Sequence, residues 1–166
     1  MKKVLLFLVT MFVFGLQNIS AQDGIKIVTN HPDFNVKIKR CVASGKSVII
    51  DMVFTNTGDK DISFSAVADG SYYFTEAYDD EGNKYTGRRN GIQVKVANSG
   101  SYTQYVENYR MIAGVPVKVS FCINDVSPSA ENIAYFEGVV VCEEWGLPGA
   151  AKDKWLTIRN IPISRD

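Results

Sequence analysis

Side chains that could act as catalytic bases or nucleophiles are scarce in this 166-residue sequence. His31 is its only histidine, and it stands before Pro32 with no catalytic motif around it. A Ser-His-Asp triad or a Cys-His pair would have to use this one histidine. A small hydrolase acting through His31 is therefore the least favoured of the three functions considered below.

Paired carboxylates offer a second kind of chemistry, the cleavage of glycosidic bonds. Such enzymes hold two carboxyl groups roughly 5 to 9 Å apart across a substrate cleft. The available glutamates are Glu76, Glu107, Glu137, Glu143 and Glu144. Their positions along the chain place no two of them across a cleft, and a sandwich of this size has little room for one. We therefore expect that the protein is not an enzyme.

Metal and cofactor sites are equally hard to find. Zinc needs three or four ligands, yet the sequence has neither a Cys-x-x-Cys nor a His-x-x-x-His spacing. Glycine-rich loops that cradle phosphates are absent as well. The acidic run at residues 79–83 lacks the full ligand pattern of a calcium loop, so we interpret it as a solvated hairpin tip. The sequence predicts neither a metal nor a cofactor.

Aromatic residues are the most informative side chains. Tyrosines crowd the middle of the chain, at Tyr72, Tyr73, Tyr78, Tyr85, Tyr102, Tyr105 and Tyr109, and Trp145 lies in a loop rich in glycine and proline. Exposed Tyr and Trp stack on sugar rings or anchor protein partners, because each combines a large apolar face with a polar tip. The candidate binding residues are Trp145, Tyr72, Tyr73 and Tyr105.

The three cysteines are Cys41, Cys122 and Cys142, so an oxidising compartment permits at most one internal disulfide. If the strands on either side of Pro128 form a simple hairpin, Cys122 and Cys142 lie roughly 20 Å apart or more, too far to pair. Two alternatives stay open. Cys41 pairs with one of the other two cysteines, or all three thiols are free.

Residues 1–21 have the pattern of a cleaved signal peptide. Lys2 and Lys3 precede an apolar run at residues 4–16, and Ala21 provides a small residue at the expected cleavage position. The run is shorter than the roughly 20 residues needed to span a bilayer. We expect a mature domain of residues 22–166 without an integral membrane span, located in the periplasm or secreted.

Charge gives no sign of a nucleic-acid partner. The whole chain has 18 basic and 18 acidic residues, and loss of Lys2 and Lys3 leaves 16 basic and 18 acidic residues in the mature chain. A nucleic-acid-binding domain usually carries a marked excess of basic residues. The sequence therefore predicts no binding to nucleic acid or to an anionic membrane surface.

Alternation of apolar and polar residues indicates strands throughout the mature chain. Residues 47–59 form the central one, with one face wholly apolar and a turn at Asn56-Thr57-Gly58. Residues 34–39 form its hairpin partner, for which strict alternation places Cys41 on the solvent side. Residues 115–123 give the longest alternation, with Lys118, Ser120 and Cys122 on the face opposite the apolar one.

Further short strands are predicted at residues 25–28, 62–67, 72–78, 84–86, 92–96, 102–108, 133–142 and 155–163. No helical period extends over three turns after residue 21. Short strands with turn signals every 8 to 12 residues or so are typical of a sandwich. The predicted fold is a single all-β domain, an antiparallel immunoglobulin-like β-sandwich of about eight to ten strands.

Four stretches resemble small exported bacterial immunoglobulin-like domains of unknown function. They are residues 48–59, ending in Asn-Thr-Gly-Asp, residues 77–85 with an Asp-x-x-Gly turn, residues 114–121 with a Gly-x-Pro strand start, and residues 158–163. The resemblance covers nearly the whole mature chain. Because these motifs are turns and strand ends, it implies a fold and supplies no site.

The favoured function is an exported non-catalytic module that binds an envelope or secreted protein, or forms part of a cell-envelope assembly. The alternative is a carbohydrate-binding module that holds a glycan on exposed aromatic residues. The third is the small hydrolase already described.

Overall fold

The computed structural model describes residues 24–29, 33–71, 73–142 and 156–165, without the side chain of Cys142. These residues form eleven β-strands and one short 3-10 helix at Arg88–Asn90. The strands are β1 (Lys26–Thr29), β2 (Phe34–Ser44), β3 (Ser47–Asn56), β4 (Ile62–Val67), β5 (Glu76–Asp79), β6 (Lys84–Thr86), β7 (Ile92–Val96), β8 (Tyr105–Met111), β9 (Val117–Ile123), β10 (Asn132–Cys142) and β11 (Leu156–Pro162).

Two sheets make up the fold. One has four strands in the order β2-β3-β9-β7, and the other has seven, in the order β1-β11-β10-β4-β8, with β5 pairing with β10 and β6 with β5. All pairs of named strands are antiparallel. The predicted antiparallel β-sandwich is thus confirmed, with β3 in the interior of its sheet as expected. In the described part of the chain, no helix is long and apolar enough to cross a bilayer.

Phenylalanine side chains from both sheets meet in the core. The Phe54 ring of β3 lies 5.9 Å from that of Phe64 on β4, and the Phe121 ring of β9 lies 5.0 Å from that of Phe136 on β10. All four side chains are fully buried. Their contacts hold the two sheets together, which leaves the outer face of each sheet as the surface where a partner could bind.

A β-bulge in β2 corrects the prediction for Cys41. Ile38 pairs with Met52 and Arg40 pairs with Asp51, so Lys39 is an extra residue in β2. Such an insertion shifts every later side chain to the other face. Cys41 therefore points into the core and is 5% exposed, where strict alternation placed it in solvent.

The cysteine geometry also differs from the prediction. Strands β9 and β10 belong to different sheets, so they do not form the simple hairpin assumed above. Phe121 pairs with Ile50 across β9 and β3, and Ile50 pairs with Cys41 across β3 and β2, so these three side chains lie on the inner face of the four-stranded sheet. Cys122 follows Phe121 in β9 and therefore lies on the outer face. Cys41 and Cys122 are both free thiols, so a bond between them is excluded. Burial raises the pKa of Cys41 to about 12, which keeps this thiol protonated.

The region around residues 72–79 is less regular than predicted. Its strand begins at Glu76, because Thr75 is buried and its hydroxyl bonds two other segments. Thr75 Oγ1 donates to the Val67 carbonyl at 2.7 Å and accepts from the Val139 amide at 3.2 Å. The β5–β6 hairpin is present as predicted. Asp79 at its start is 2% exposed, so the prediction of a solvated tip is wrong for this carboxylate.

Candidate functional site

The four predicted binding residues do not assemble into one described site. Trp145 and Tyr72 lie outside the described residues, as does His31. Tyr73 is half-buried beside a turn, where its carbonyl accepts the Gly70 amide at 2.8 Å. Tyr105 is 54% exposed at the start of the edge strand β8, and its role in binding stays a prediction.

A different pair of tyrosines comes together on the outer face of the seven-stranded sheet. Tyr78 of β5 and Tyr135 of β10 are direct cross-strand partners, and their ring centroids lie 6.1 Å apart. Both rings are half-buried. Their neighbours in sequence, Ala77 and Phe136, point into the core, which fixes the two rings on the solvent side.

Basic residues continue this row on both sides. Lys84 of β6 pairs with Tyr78, and its Nζ lies 5.6 Å from the ring centroid. Arg159 of β11 pairs with Tyr135, and its Cζ lies 4.9 Å from that ring centroid. Lys26 of β1 pairs with Arg159 and ends the row. One line of side chains therefore crosses five strands of the sheet. Its order is Lys26, Arg159, Tyr135, Tyr78 and Lys84.

Two glutamates form the next row of the same face. Glu76 and Glu137 are direct cross-strand partners, although 61 positions separate them in sequence. Lys84 Nζ contacts Glu76 Oε1 at 2.7 Å, and the Tyr135 hydroxyl donates to Glu137 Oε2 at 2.9 Å. Burial and this hydrogen bond raise the pKa of Tyr135, so its hydroxyl stays a donor.

We call these seven residues the tyrosine surface: Lys26, Glu76, Tyr78, Lys84, Tyr135, Glu137 and Arg159. Sequence reasoning missed it because Tyr135 stands outside the cluster of tyrosines in the middle of the chain. The available signal was that Tyr135 and Glu137 stand two positions apart in a predicted strand, which places both on its polar face. Only the pairing of β5 with β10 brings Tyr78 next to it.

The outer face of the four-stranded sheet has another character. Five basic residues lie on or beside it, namely Lys37, Lys39, Arg40, Lys95 and Lys118, and we call this region the basic face. Among the described residues, the four strands of this sheet contain one carboxylate, that of Asp51. It stands between Arg40 and Ser120 in a cross-strand row. The alternation in β3 predicted Asp51 on this face, but its burial to 3% exposure was not predicted.

Asp51 is held by charged and polar donors from both neighbouring strands. Arg40 Nε lies 2.6 Å and Lys118 Nζ 3.1 Å from Asp51 Oδ2, while the Ser120 hydroxyl donates to Oδ1. Burial raises the pKa of Asp51, but the hydrogen bonds from Ser120, Arg40 and Lys118 together outweigh burial and lower it. Ser120 lies on the face opposite the apolar one, as predicted, but it is buried, with its hydroxyl bonded to this carboxylate.

Neither outer face offers a metal centre. Within the described ranges, no three His, Cys, Asp or Glu side chains converge so that they could hold a metal ion. The tyrosine surface supplies ring faces, hydrogen-bond acceptors and fixed cations, which suit recognition of a partner. The basic face supplies positive charge.

Comparison with known proteins gives little further information. No protein-family model matches the sequence, and no curated protein matches it. One similar solved structure is a family 123 glycoside hydrolase from Clostridium perfringens, studied for glycolipid glycan hydrolysis. It is 7% identical with a TM-score of 0.41, and the match covers 80% of this chain and 28% of the hydrolase chain. This chain thus corresponds to less than a third of that enzyme.

Proposed function

We propose that this protein is an exported, non-catalytic binding module that contacts another protein of the cell envelope, or a secreted protein, through the tyrosine surface. The observation that supports this function is the row formed by Lys84, Tyr78, Tyr135 and Arg159 across four strands. Export rests on the signal-peptide pattern of residues 1–21.

Tyrosine and arginine are the residue types that favour this reading. Both are enriched at the centres of protein interfaces, where they contribute a large share of binding energy. Here the Arg159 guanidinium already lies over the Tyr135 ring, and Lys84 is held by Glu76. Because these side chains are ordered before a partner arrives, little conformational entropy is lost on binding.

Site-specific crosslinking tests the proposal and identifies the partner. A photoreactive amino acid is placed at Thr157, the cross-strand partner of Glu137 at the border of the tyrosine surface, and as a control at Glu107 on the edge strand β8. Cells expressing each variant are irradiated, and adducts are identified by mass spectrometry. The proposal predicts one protein adduct formed from position 157 and absent from position 107.

Binding to that partner is then measured with purified variants. Y78S/Y135S is expected to weaken the dissociation constant at least about tenfold, as expected for loss of a central aromatic pair. The control is Y105S, which removes a 54% exposed tyrosine elsewhere and should leave affinity unchanged. Equal affinities for both variants, with unchanged circular dichroism, would refute the proposed interface.

A glycan ligand is the second candidate, and one observation favours it. The half-buried tyrosine rings stand beside Glu76 and Glu137, whose carboxylates can accept hydrogen bonds from sugar hydroxyls. A glycan array probed with the wild type and with Y78S/Y135S distinguishes the two candidates. Specific glycan signals that disappear in the variant would show that the ligand of the tyrosine surface is a sugar and not a protein.

A further inference from the structure

The outer face of the four-stranded sheet carries a local excess of positive charge. The basic face carries five cations around the single carboxylate of Asp51. The whole chain has equal numbers of basic and acidic residues. The formal net charge of the chain therefore does not reveal the excess of cations on this face. The excess arises because strands that are distant in sequence pair with one another.

The residues that carry these cations lie on three of the four strands, β2, β9 and β7. Lys37, Val53 and Lys118 form one cross-strand row, so Lys37 and Lys118 stand two strand spacings apart, about 10 Å. In the next row Arg40 and Lys95 stand three spacings apart, about 14 Å. Charges therefore recur both along and across the sheet.

Most of this positive charge is not neutralised within the protein. Arg40 donates a hydrogen bond to Asp51 from Nε, and its two terminal guanidinium nitrogens donate none to a described residue. Lys37, Lys39 and Lys95 take part in no ion pair in the described ranges. The buried carboxylate orders Arg40 and Lys118 and leaves a net excess of cations facing solvent.

We propose that the basic face binds a linear acidic polysaccharide, one that carries carboxylate or sulfate groups along its length. A row of anionic groups matches cations that recur across the sheet, and binding would be driven by charge and counterion release. This site lies on the opposite sheet from the tyrosine surface and is independent of the function proposed above.

A protein or a membrane fits this face less well. Protein interfaces need an apolar centre, and membrane adsorption needs apolar side chains that enter the lipid boundary. The exposed large hydrophobic residues of the described chain are Ile25, Val28, Tyr105, Ile112 and Val115, and none lies on β2, β3, β7 or β9. The apolar residues between the cations, such as Val53, are half-buried in the sheet.

The test uses the mature protein and defined polymers. Affinity electrophoresis and calorimetry measure binding to polygalacturonate, which is carboxylated, and to dextran sulfate, with neutral dextran as the reference. The wild type should bind both acidic polymers, with an affinity that falls steeply as salt is raised, and should ignore neutral dextran. No binding to either acidic polymer at low salt would overturn the proposal.

Matched variants locate the site. K37Q/K95Q removes two cations that make no ion pair in the described chain, and K60Q/R89Q removes the same charge at two exposed positions outside the strands of the four-stranded sheet. We expect the first pair to weaken binding by about fivefold per lysine and to reduce the salt slope by about one per lysine. We expect the second pair to have little effect. Equal losses from both pairs would mean non-specific attraction and would refute the assignment.

Two further measurements separate the alternatives. Sedimentation with phosphatidylglycerol vesicles and gel shift with single-stranded DNA report membrane and nucleic-acid binding, and tighter binding to either than to the polysaccharides overturns the proposal. Y78S/Y135S should bind polygalacturonate like the wild type. Loss of polygalacturonate binding in that variant would show that the polymer binds the tyrosine surface, which would contradict the site on the basic face.

Discussion

Asp51 and Asp79 are both almost completely buried carboxylates, but the protein satisfies them in opposite ways. All partners of Asp79 lie within six residues and are neutral: the amides of Glu81 and Asn83, the Asn83 side chain and the Tyr85 hydroxyl. The partners of Asp51 come from other strands, and two of them are cations. One carboxylate organises a turn, whereas the other joins three strands and orders surface charge.

This difference indicates which site can relax after a mutation. The amides around Asp79 are fixed by the β5–β6 hairpin, so they keep their positions when the acceptor is lost. The Arg40 and Lys118 side chains are 59% and 55% exposed, so they can turn into water. The local, uncharged site should therefore matter more for stability than the one with two ion pairs.

The largest expected effect is that of D79A. Losing the acceptor leaves several hairpin donors and the Tyr85 hydroxyl without their partner, and we expect the free energy of unfolding to fall by about 3 kcal/mol. Urea unfolding followed by circular dichroism measures it. The control is E81A at an exposed position of the same turn, expected to change stability by less than about 0.5 kcal/mol. Similar losses in both variants would contradict the role given to Asp79.

D51A should cost less, about 1 to 2 kcal/mol, because its cationic partners can be rehydrated. Its effect should also shrink as salt approaches about 1 M, where charges are screened within roughly 3 Å. The effect of D79A should not shrink, since its donors are neutral. Urea unfolding of both variants at low and high salt provides the comparison. A D51A loss that equals the D79A loss and ignores salt would remove the distinction.

Acid should destabilise the protein through both carboxylates. Burial raises each pKa, but hydrogen bonds outweigh it, so the folded pKa of Asp51 and of Asp79 lies below the ordinary value of 3.8. The stability they contribute is complete above that value and is lost as pH falls through the folded pKa. Thermal unfolding between about pH 5 and pH 2 should show a smaller decline for D51N and D79N than for the wild type. A steeper decline in either variant would mean that its pKa is raised.

The smallest effect is expected at Arg40. R40Q should lower the melting temperature by only about 1 to 2 °C, because the Arg40 side chain is 59% exposed and Lys118 and Ser120 still hold Asp51. A double-mutant cycle with D51A, followed by calorimetry, measures the coupling between the two side chains. Coupling as large as the whole D51A effect would show that Arg40 is the main partner of Asp51 and that Ser120 and Lys118 add little.

The sequence predicted those features that depend on neighbours along the chain. The alternation in β3 placed Asp51 on the outer face, and the Asp-rich run at residues 79–83 predicted the β5–β6 hairpin. Alternation in β5 places Asp79 on the inner face with Ala77. The acidic composition of the following turn suggested exposure instead, so the burial of Asp79 was not predicted.

What could not be predicted depends on the order of strands. Tyr78 meets Tyr135 only because β5 pairs with β10, and Lys118 reaches Asp51 only because β9 pairs with β3. Period-two patterns decide which face a residue occupies, but they do not name its neighbour across the sheet. Both outer faces therefore emerged only from the structure.

The extra residue in β2 makes the position of the β-bulge as important as the composition of the strand. If β2 paired with β3 in regular alternation and Lys39 took a place in the ladder, every side chain from Arg40 onward would exchange faces, so the guanidinium would face the apolar interior and the Cys41 thiol would face solvent. Deletion of Lys39 should therefore leave Arg40 opposite Asp51 and Cys41 opposite Ile50, whereas deletion of Asn35 or Lys37 would move the residues on one side of the gap to the wrong face.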